Sequence, residues 1–177
     1  HKSINQRLEE YAKYEKTFLE GLENYEDYDI RKKSNNDFSK LLFEDTCTFY
    51  YDFPYVTDST EIVNIAASDD ENVRIYSWDT LLGGTMVCWG NVIQYRSNGK
   101  IKTYDGSIWS VDESQEENEI DFGCWTKAIY TFNRNDGQTI YVTESYFRES
   151  SSYGYSTLDA FNISDGKLKM IEDAFVI

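Results

Sequence analysis

The sequence predicts an α+β fold in which one or two N-terminal helices pack on a curved antiparallel β-meander. Three observations carry this reading. Apolar residues recur at helical spacing through about residue 42 and at alternating spacing beyond it. Asn-Gly and Asp-Gly dipeptides punctuate the second part at hairpin intervals. That part also lacks the crossover segments that parallel strands require.

Ser3-Ile4-Asn5-Gln6 fits a capping box, so a helix is expected to start there. Ile4, Leu8, Tyr11, Phe18, Leu22 and Tyr25 then fall on one face, and Glu9 with Lys13 makes a favourable i,i+4 pair. Glu15 takes the seam position missing from that stripe, so the helix should dock on a sheet rather than zip into a coiled coil. An acidic, tyrosine-rich link over 26–34 separates it from a second helix, which opens at Asn35 or Asn36 and turns Phe38, Leu41 and Leu42 inward.

From Thr46 the period changes to two. Cys47, Phe49, Tyr51 and Phe53 alternate with Thr46, Thr48, Tyr50 and Asp52 until Pro54, which predicts a first strand. Further strands are expected at 61–67, 72–78, 85–97, 100–104, 107–111, 124–133, 138–147, 156–163, 167–171 and 174–177. The dipeptides Asn98-Gly99, Asp105-Gly106, Asp136-Gly137 and Asp165-Gly166 tolerate the positive φ of tight hairpins. Tyr76 and Trp78 should share one face of their strand, with Val73, Ile75 and Ser77 on the other. The 85–97 run is partly apolar on both faces, as a central strand covered by helix on one side would be. The acidic segment 112–121 reads as a solvated loop. A chain of this length buries roughly 70% of its unfolded surface. We therefore expect one domain over 1–177, helical over 3–45 and antiparallel β over 46–177.

Composition excludes several functions. With 32 acidic and 17 basic residues the net charge is -15, which repels phosphate backbones and anionic headgroups. Nucleic acid is not an expected partner. No apolar run approaches the ~20 residues of a spanning helix, so the visible chain should not insert in a membrane. The single histidine is residue 1, so the usual general base, the usual metal ligand and the centre of a catalytic triad are missing. Cys47, Cys88 and Cys124 have no CxxC spacing and read as buried thiols, or as one bridge and a spare thiol in an exported protein.

No cofactor and no metal site are expected. Asp69, Asp70, Glu71 and Asn72 carry oxygens that suit Ca²⁺, but acidic hairpin tips are usually just solvated. Paired carboxylates are the one catalytic device that survives without histidine. Asp79, Glu144 and Asp159, in or beside strands, are where such a pair would be sought; no catalytic residue is assigned.

The chain has 15 Tyr, 10 Phe and 4 Trp, rings that suit cross-strand pairs within a β core and contacts with sugars or proteins outside it. The candidate recognition loop is Phe147 to Tyr155, which joins two strands and presents Arg148, Tyr153 and Tyr155. Trp78 and Asp79 complete the candidate ligand-binding set.

Two resemblances bear on these residues. Ser68 to Asp79 resembles the closing stretch of one WD-repeat blade, but no second copy occurs at 40–45-residue spacing and no Gly-His element exists, so a closed propeller does not follow. Val73 to Thr80, with Gly83-Gly84-Thr85-Met86 and Asn91 to Tyr95, resembles a motif of uncharacterised exported proteins of gut-dwelling Bacteroidetes, over residues 68–97. That resemblance implies a periplasmic, cell-surface or secreted protein. The signal segment is not in the visible chain, since His1-Lys2-Ser3-Ile4 has no apolar centre.

By analogy of fold, the specific architecture to test is a helix-cradling cone like those of nuclear-transport-factor-like or cystatin-like domains, with a mostly-β sandwich or partial propeller as alternatives. The functional expectation is a non-catalytic exported or cell-envelope binding or accessory protein with a protein or glycan partner. A carboxylate-dependent glycan-active enzyme and a structural module of an envelope assembly are the other readings.

Overall fold

A computed structural model describes residues 3–57, 62–84, 86–106, 124–171 and 174–175. Helix α1 spans Ile4–Leu22 and α2 spans Tyr28–Glu44, followed by a 3₁₀ turn over Thr46–Tyr50 and the short α3, Pro54–Thr57. Among the described residues eight strands form two antiparallel meanders, and within each sheet every strand pairs with its chain neighbour. The first sheet holds β1 Val63–Ala67, β2 Val73–Asp79, β3 Trp89–Ser97 and β4 Lys100–Asp105. The second holds β5 Trp125–Asn133, β6 Thr139–Arg148, β7 Gly154–Ser164 and β8 Lys167–Met170.

The period-2 pattern of β2 explains how the layers stack. Its even positions Tyr76 and Trp78 join Phe18, Leu22, Phe38 and Leu42 beneath the helices, while Val73 and Ile75 join Ile129, Tyr141, Phe161 and Leu168 of the second sheet. The order is thus helices, first sheet, second sheet. Two apolar cores result, and the α+β arrangement of helices on an antiparallel meander holds, although the meander is split into two stacked sheets rather than one continuous cone.

Gly90 makes the upper core fit. A Cβ there would lie 2.2 Å from the Trp78 ring, so the indole packs flat across the strand. Its Nε1 donates to Asn35 Oδ1 at 2.7 Å, and Phe38 meets it edge-on at 5.2 Å.

Local chemistry accounts for what differs from the sequence reading. The capping box at Ser3 and Gln6 forms, with both side-chain bonds present. The second helix starts seven residues before Asn35 because Asp27 caps it, accepting from the Asp29 and Ile30 amides at 2.9 and 3.1 Å. The expected strand at 46–53 is a 3₁₀ turn and an extended link instead: the Asp45 side chain accepts from Cys47 N–H at 3.1 Å, and Thr48 Oγ1 donates to the Asp45 carbonyl at 2.6 Å. Those side-chain bonds outcompete the alternating pattern. The helical part therefore runs to Thr57, and β structure begins at Val63 rather than at 46.

The remaining strands fall close to expectation, with β3 opening at Trp89 rather than at 85. The expected strand at 107–111 and the loop at 112–121 lie outside the described residues. Of 174–177, Ala174 and Phe175 form a turn and the last two residues lie outside the description. Asn98-Gly99 (φ 51° and 73°) and Asp165-Gly166 (φ 54° and 76°) are tight hairpins. Gly137 takes φ 85° in the longer β5–β6 turn, and Asp105-Gly106 is no hairpin: it ends β4, with Gly106 N–H donating to the Asn91 carbonyl at 3.0 Å.

Candidate functional site

The structure divides the five sequence candidates. Trp78 is corrected: it is 1% exposed, locked between Asn35, Phe38 and Gly90, and presents no face to a ligand. Asp79 and Arg148 come to the same end of the stacked sheets, where Arg148 favours the Asp79 carboxylate electrostatically. Burial outweighs that attraction and raises the Asp79 carboxyl above its ordinary range, despite a 2.8 Å bond from Leu81 N–H.

The 148–155 hairpin is ordered by its own bonds. Glu149 and Ser150 amides donate to the Tyr153 carbonyl, Ser150 Oγ accepts from Ser152 and Tyr153 N–H, and the Arg148 guanidinium donates to the Ser150 and Ser151 carbonyls. Tyr155 lies 5.4 Å from Phe147 and 6.2 Å from Tyr153, centroid to centroid, and both tyrosines are exposed.

Below the same end sit Trp89 and Trp125, in an edge contact at 5.6 Å. Trp89 is cross-strand to Asp79, and its buried Nε1 has no hydrogen-bond partner among the described residues. Behind the indoles the two sheets are tied by polar groups: Asn91 Nδ2 donates to the Cys124 carbonyl at 2.9 Å, Ser77 Oγ donates to Asn91 Oδ1 at 2.9 Å, and Thr126 N–H donates to Ser77 Oγ at 3.2 Å. Ser77, Asn91 and Thr126 are all fully buried, so this network registers the sheets and is closed to ligands.

Sequence reasoning missed a further candidate surface among the described residues, the outer face of the second sheet. Register places Tyr130, Val142 and Ala160 in one cross-strand row, Phe132 beside Ile140, Glu144 beside Leu158, and Tyr146 beside Ser156. Phe132 is 55% and Leu158 54% exposed, and Tyr130 and Tyr146 are exposed as well. No element among the described residues packs on this face, because the second sheet meets the rest of the fold through its other side and through β5. Tyr146 extends over Gly154, where a Cβ would come within 2.3 Å of its hydroxyl. On the same face Glu144 accepts from Lys127 Nζ at 3.1 Å and from the Tyr130 hydroxyl at 3.0 Å, bonds that hold its carboxyl below the ordinary range. A signal for this face existed in the sequence, since outward Tyr130 and Phe132 alternate with inward Ile129 and Thr131, but alternation cannot tell an outer layer from a central one.

The opposite end carries a cleft of about 690 Å³, lined by turn residues such as Asn72, Asn98 and Gln138 and by strand residues such as Tyr141 and Asn162. Nearby, Asp70 is engaged: Ser68 Oγ donates to it at 2.6 Å, Asn72 N–H at 3.1 Å and the Tyr141 hydroxyl at 2.8 Å. The acidic tip is therefore built as a hairpin cap, and among the described residues no cluster of three or more His, Cys, Asp or Glu has the geometry to hold a metal ion. Of the cysteines, Cys88 and Cys124 are buried but Cys47 is exposed, against expectation, because the 3₁₀ turn buries Thr48 and Phe49 instead. None of the three is in a disulfide. Among the described residues no helix is long and apolar enough to cross a membrane.

No protein family, curated protein or solved structure matches the chain.

Proposed function

We propose that the protein is a non-catalytic binding module, exported or held at the cell envelope, that takes its partner on the outer face of the second sheet with the 148–155 hairpin at the rim. One observation carries this reading: an apolar belt of Tyr130, Phe132, Tyr146 and Leu158 is exposed on one face that no described element covers. Contiguous exposed apolar surface of this kind is unfavourable in water and typical of interaction sites. The exported context is supported by the resemblance over residues 68–97.

A carboxylate-dependent enzyme draws support from Asp79 alone, a half-buried carboxyl that burial raises above its ordinary range, with Arg148 near it. Its would-be partners stand elsewhere. Glu144 is four residues back along β6 from Arg148, roughly 13 Å, and is ion-paired on the outer face. Asp159 stands on β7, two strands in from the β5 edge and cross-strand to Thr143, where it accepts from Thr157 Oγ1 at 3.1 Å. The binding reading is the better supported of the two.

The test is capture from envelope extract and on a glycan array. Phe132→Asp with Leu158→Asp should abolish capture while leaving the circular dichroism spectrum unchanged. Equal capture by this variant and by a Tyr14→Asp control on the helical layer would refute the assignment.

A further inference from the structure

We infer that the cleft at the end of the sheets opposite the 148–155 hairpin binds a small neutral sugar, the size of a mono- or disaccharide, at a site separate from the outer sheet face. Strand pairing makes the opening. β6 and β7 stay in register from Arg148 and Gly154 as far as Tyr141 and Phe161 and then part, Thr139 running on beside Asn133 of β5 and Ser164 beside Lys167 of β8. The β7–β8 turn is tied to the first sheet, where the Gly166 carbonyl accepts from the Tyr95 hydroxyl at 3.1 Å and from Lys102 Nζ at 2.7 Å. Between the two turns and the Asn98-Gly99 hairpin lies the cleft of about 690 Å³, within the roughly 300–1,000 Å³ of small-molecule sites. Its walls are fixed in advance. The Tyr141 hydroxyl donates to Asp70 at 2.8 Å and the Arg96 N–H to the Asn72 carbonyl at 2.8 Å, so little ordering opposes binding.

The lining decides the chemistry. The amides of Asn72, Asn98, Gln138 and Asn162 and the hydroxyl of Ser97 both donate and accept, as sugar hydroxyls do. Among the described residues Ser97, Asn98 and Asn162 make no side-chain hydrogen bond, and the Asn162 Oδ1 is buried without a partner. An unpaired buried acceptor costs a fold more than a satisfied one contributes, and turning this amide toward the cleft gives its oxygen a ligand hydroxyl. Charge excludes the alternatives. The two formal charges of the lining are engaged elsewhere, since the Arg96 guanidinium stands over the Phe49 and Tyr50 rings at 5.3 and 5.5 Å and Lys169 Nζ donates to Asp165 at 3.1 Å. An anion would in addition meet the field of a chain of net charge -15. A neutral ligand with many hydroxyls satisfies these walls without breaking a pair.

A polar cleft exchanges hydrogen bonds with water for bonds with sugar, so affinity should be millimolar, too weak to survive the washes of a capture assay and read in solution instead. The probes are glucose, galactose and mannose, free and as homodisaccharides, with the uronate and 2-amino forms of each, titrated against the full chain by ¹H–¹⁵N nuclear magnetic resonance. At least one neutral sugar should shift the Ser97, Asn98, Gln138 and Asn162 amides saturably, and its charged counterparts should bind several-fold more weakly. Asn162→Leu should weaken that sugar about tenfold with a melting temperature unchanged or raised, because the variant removes the orphaned oxygen. Gln138→Ala, on the exposed turn, should weaken it several-fold with no change in melting. No saturable shift from any neutral sugar, preference for a uronate or amino sugar, or full affinity in Asn162→Leu would each overturn the inference. If Asn162→Leu lowers the melting temperature as well as binding, Gln138→Ala decides, and full affinity there overturns the site. Phe132→Asp with Leu158→Asp should titrate as wild type. Loss of the sugar in that variant but not in Asn162→Leu would move it to the sheet face, whereas failure of every titration strikes the cleft alone, since the sheet face rests on capture.

Discussion

Glu15 accepts from the Tyr51 hydroxyl at 2.8 Å through one oxygen and from the Tyr55 and Val56 amides at 2.6 and 3.2 Å through the other. A carboxylate from the middle of α1 thereby caps the start of α3, and it is fully buried there. Removing it takes this acceptor from the Tyr51 hydroxyl and the Tyr55 amide and buries a void, while the Val56 amide keeps the Phe53 carbonyl at 3.1 Å. Glu15→Ala should destabilise the fold by about 3 kcal/mol, and Glu15→Gln, which keeps one acceptor, by clearly less. Chemical denaturation reads both, and equal losses in the two variants would contradict the capping role.

Phe18 is 2% exposed and stacks on Phe38 at 4.4 Å beneath Trp78. Phe18→Ala should cost about 3–5 kcal/mol, whereas Lys16→Ala, which loses only an outward contact over the Tyr55 ring, should cost under about 1 kcal/mol. Similar losses at the two positions would mean that α1 is not part of the core.

The pH dependence of stability should separate two kinds of carboxylate. Burial works to raise Asp45, but the Tyr11 hydroxyl, the Cys47 amide and Arg7 outweigh it and lower its pKa; at Asp70 burial is outweighed by Ser68, Asn72 and Tyr141. Their stabilisation is complete above the unfolded value of about 3.9 and disappears as pH falls through the lower folded values. Asp79 is the reverse. Burial raises it, so its ionisation opposes folding as pH climbs from about 3.9 through the higher folded value. Calorimetry should find Asp45→Asn and Asp70→Asn less stable than wild type at neutral pH and Asp79→Asn more stable, with all three differences shrinking in strong acid. A destabilised Asp79→Asn at neutral pH would contradict this assignment.

The hairpin and the sheet face should differ in their effect on binding. Tyr153 and Tyr155 are exposed at the rim on a loop held by backbone bonds, so Tyr153→Ala with Tyr155→Ala should weaken capture and leave the melting temperature within a degree or two. Phe132→Asp with Leu158→Asp should abolish it. The opposite ranking in a quantitative pull-down would move the site from the sheet to the hairpin.

How much of this was legible depends on which physics decided each element. Asn98-Gly99 and Asp165-Gly166 announce their hairpins because few other pairs accept two successive positive φ values. The inward and outward sets of β2 follow from period 2 alone. The 46–53 segment alternates as a strand does, yet its fate was set by the side chain of Asp45 just outside the pattern, and α2 likewise begins at a cap, Asp27, inside a stretch that reads as an acidic linker. Trp78 was open to either role, and only the distant Asn35 and Gly90 place it in the core. Exposure of Phe132 and Leu158 is less legible still, because it depends on which sheet ends up as the outer layer.

Hydroxyl-radical footprinting of the free protein, read residue by residue by mass spectrometry, tests the central claim most directly. Tyr130, Phe132, Tyr146 and Leu158 should label many-fold faster than Phe18, Phe38 and Trp78, and addition of the captured partner should suppress labelling at the first group alone. Slow labelling of Phe132 and Leu158 in the free protein, at the rate of Phe18, would mean that the chain covers this face itself and that the binding surface lies elsewhere.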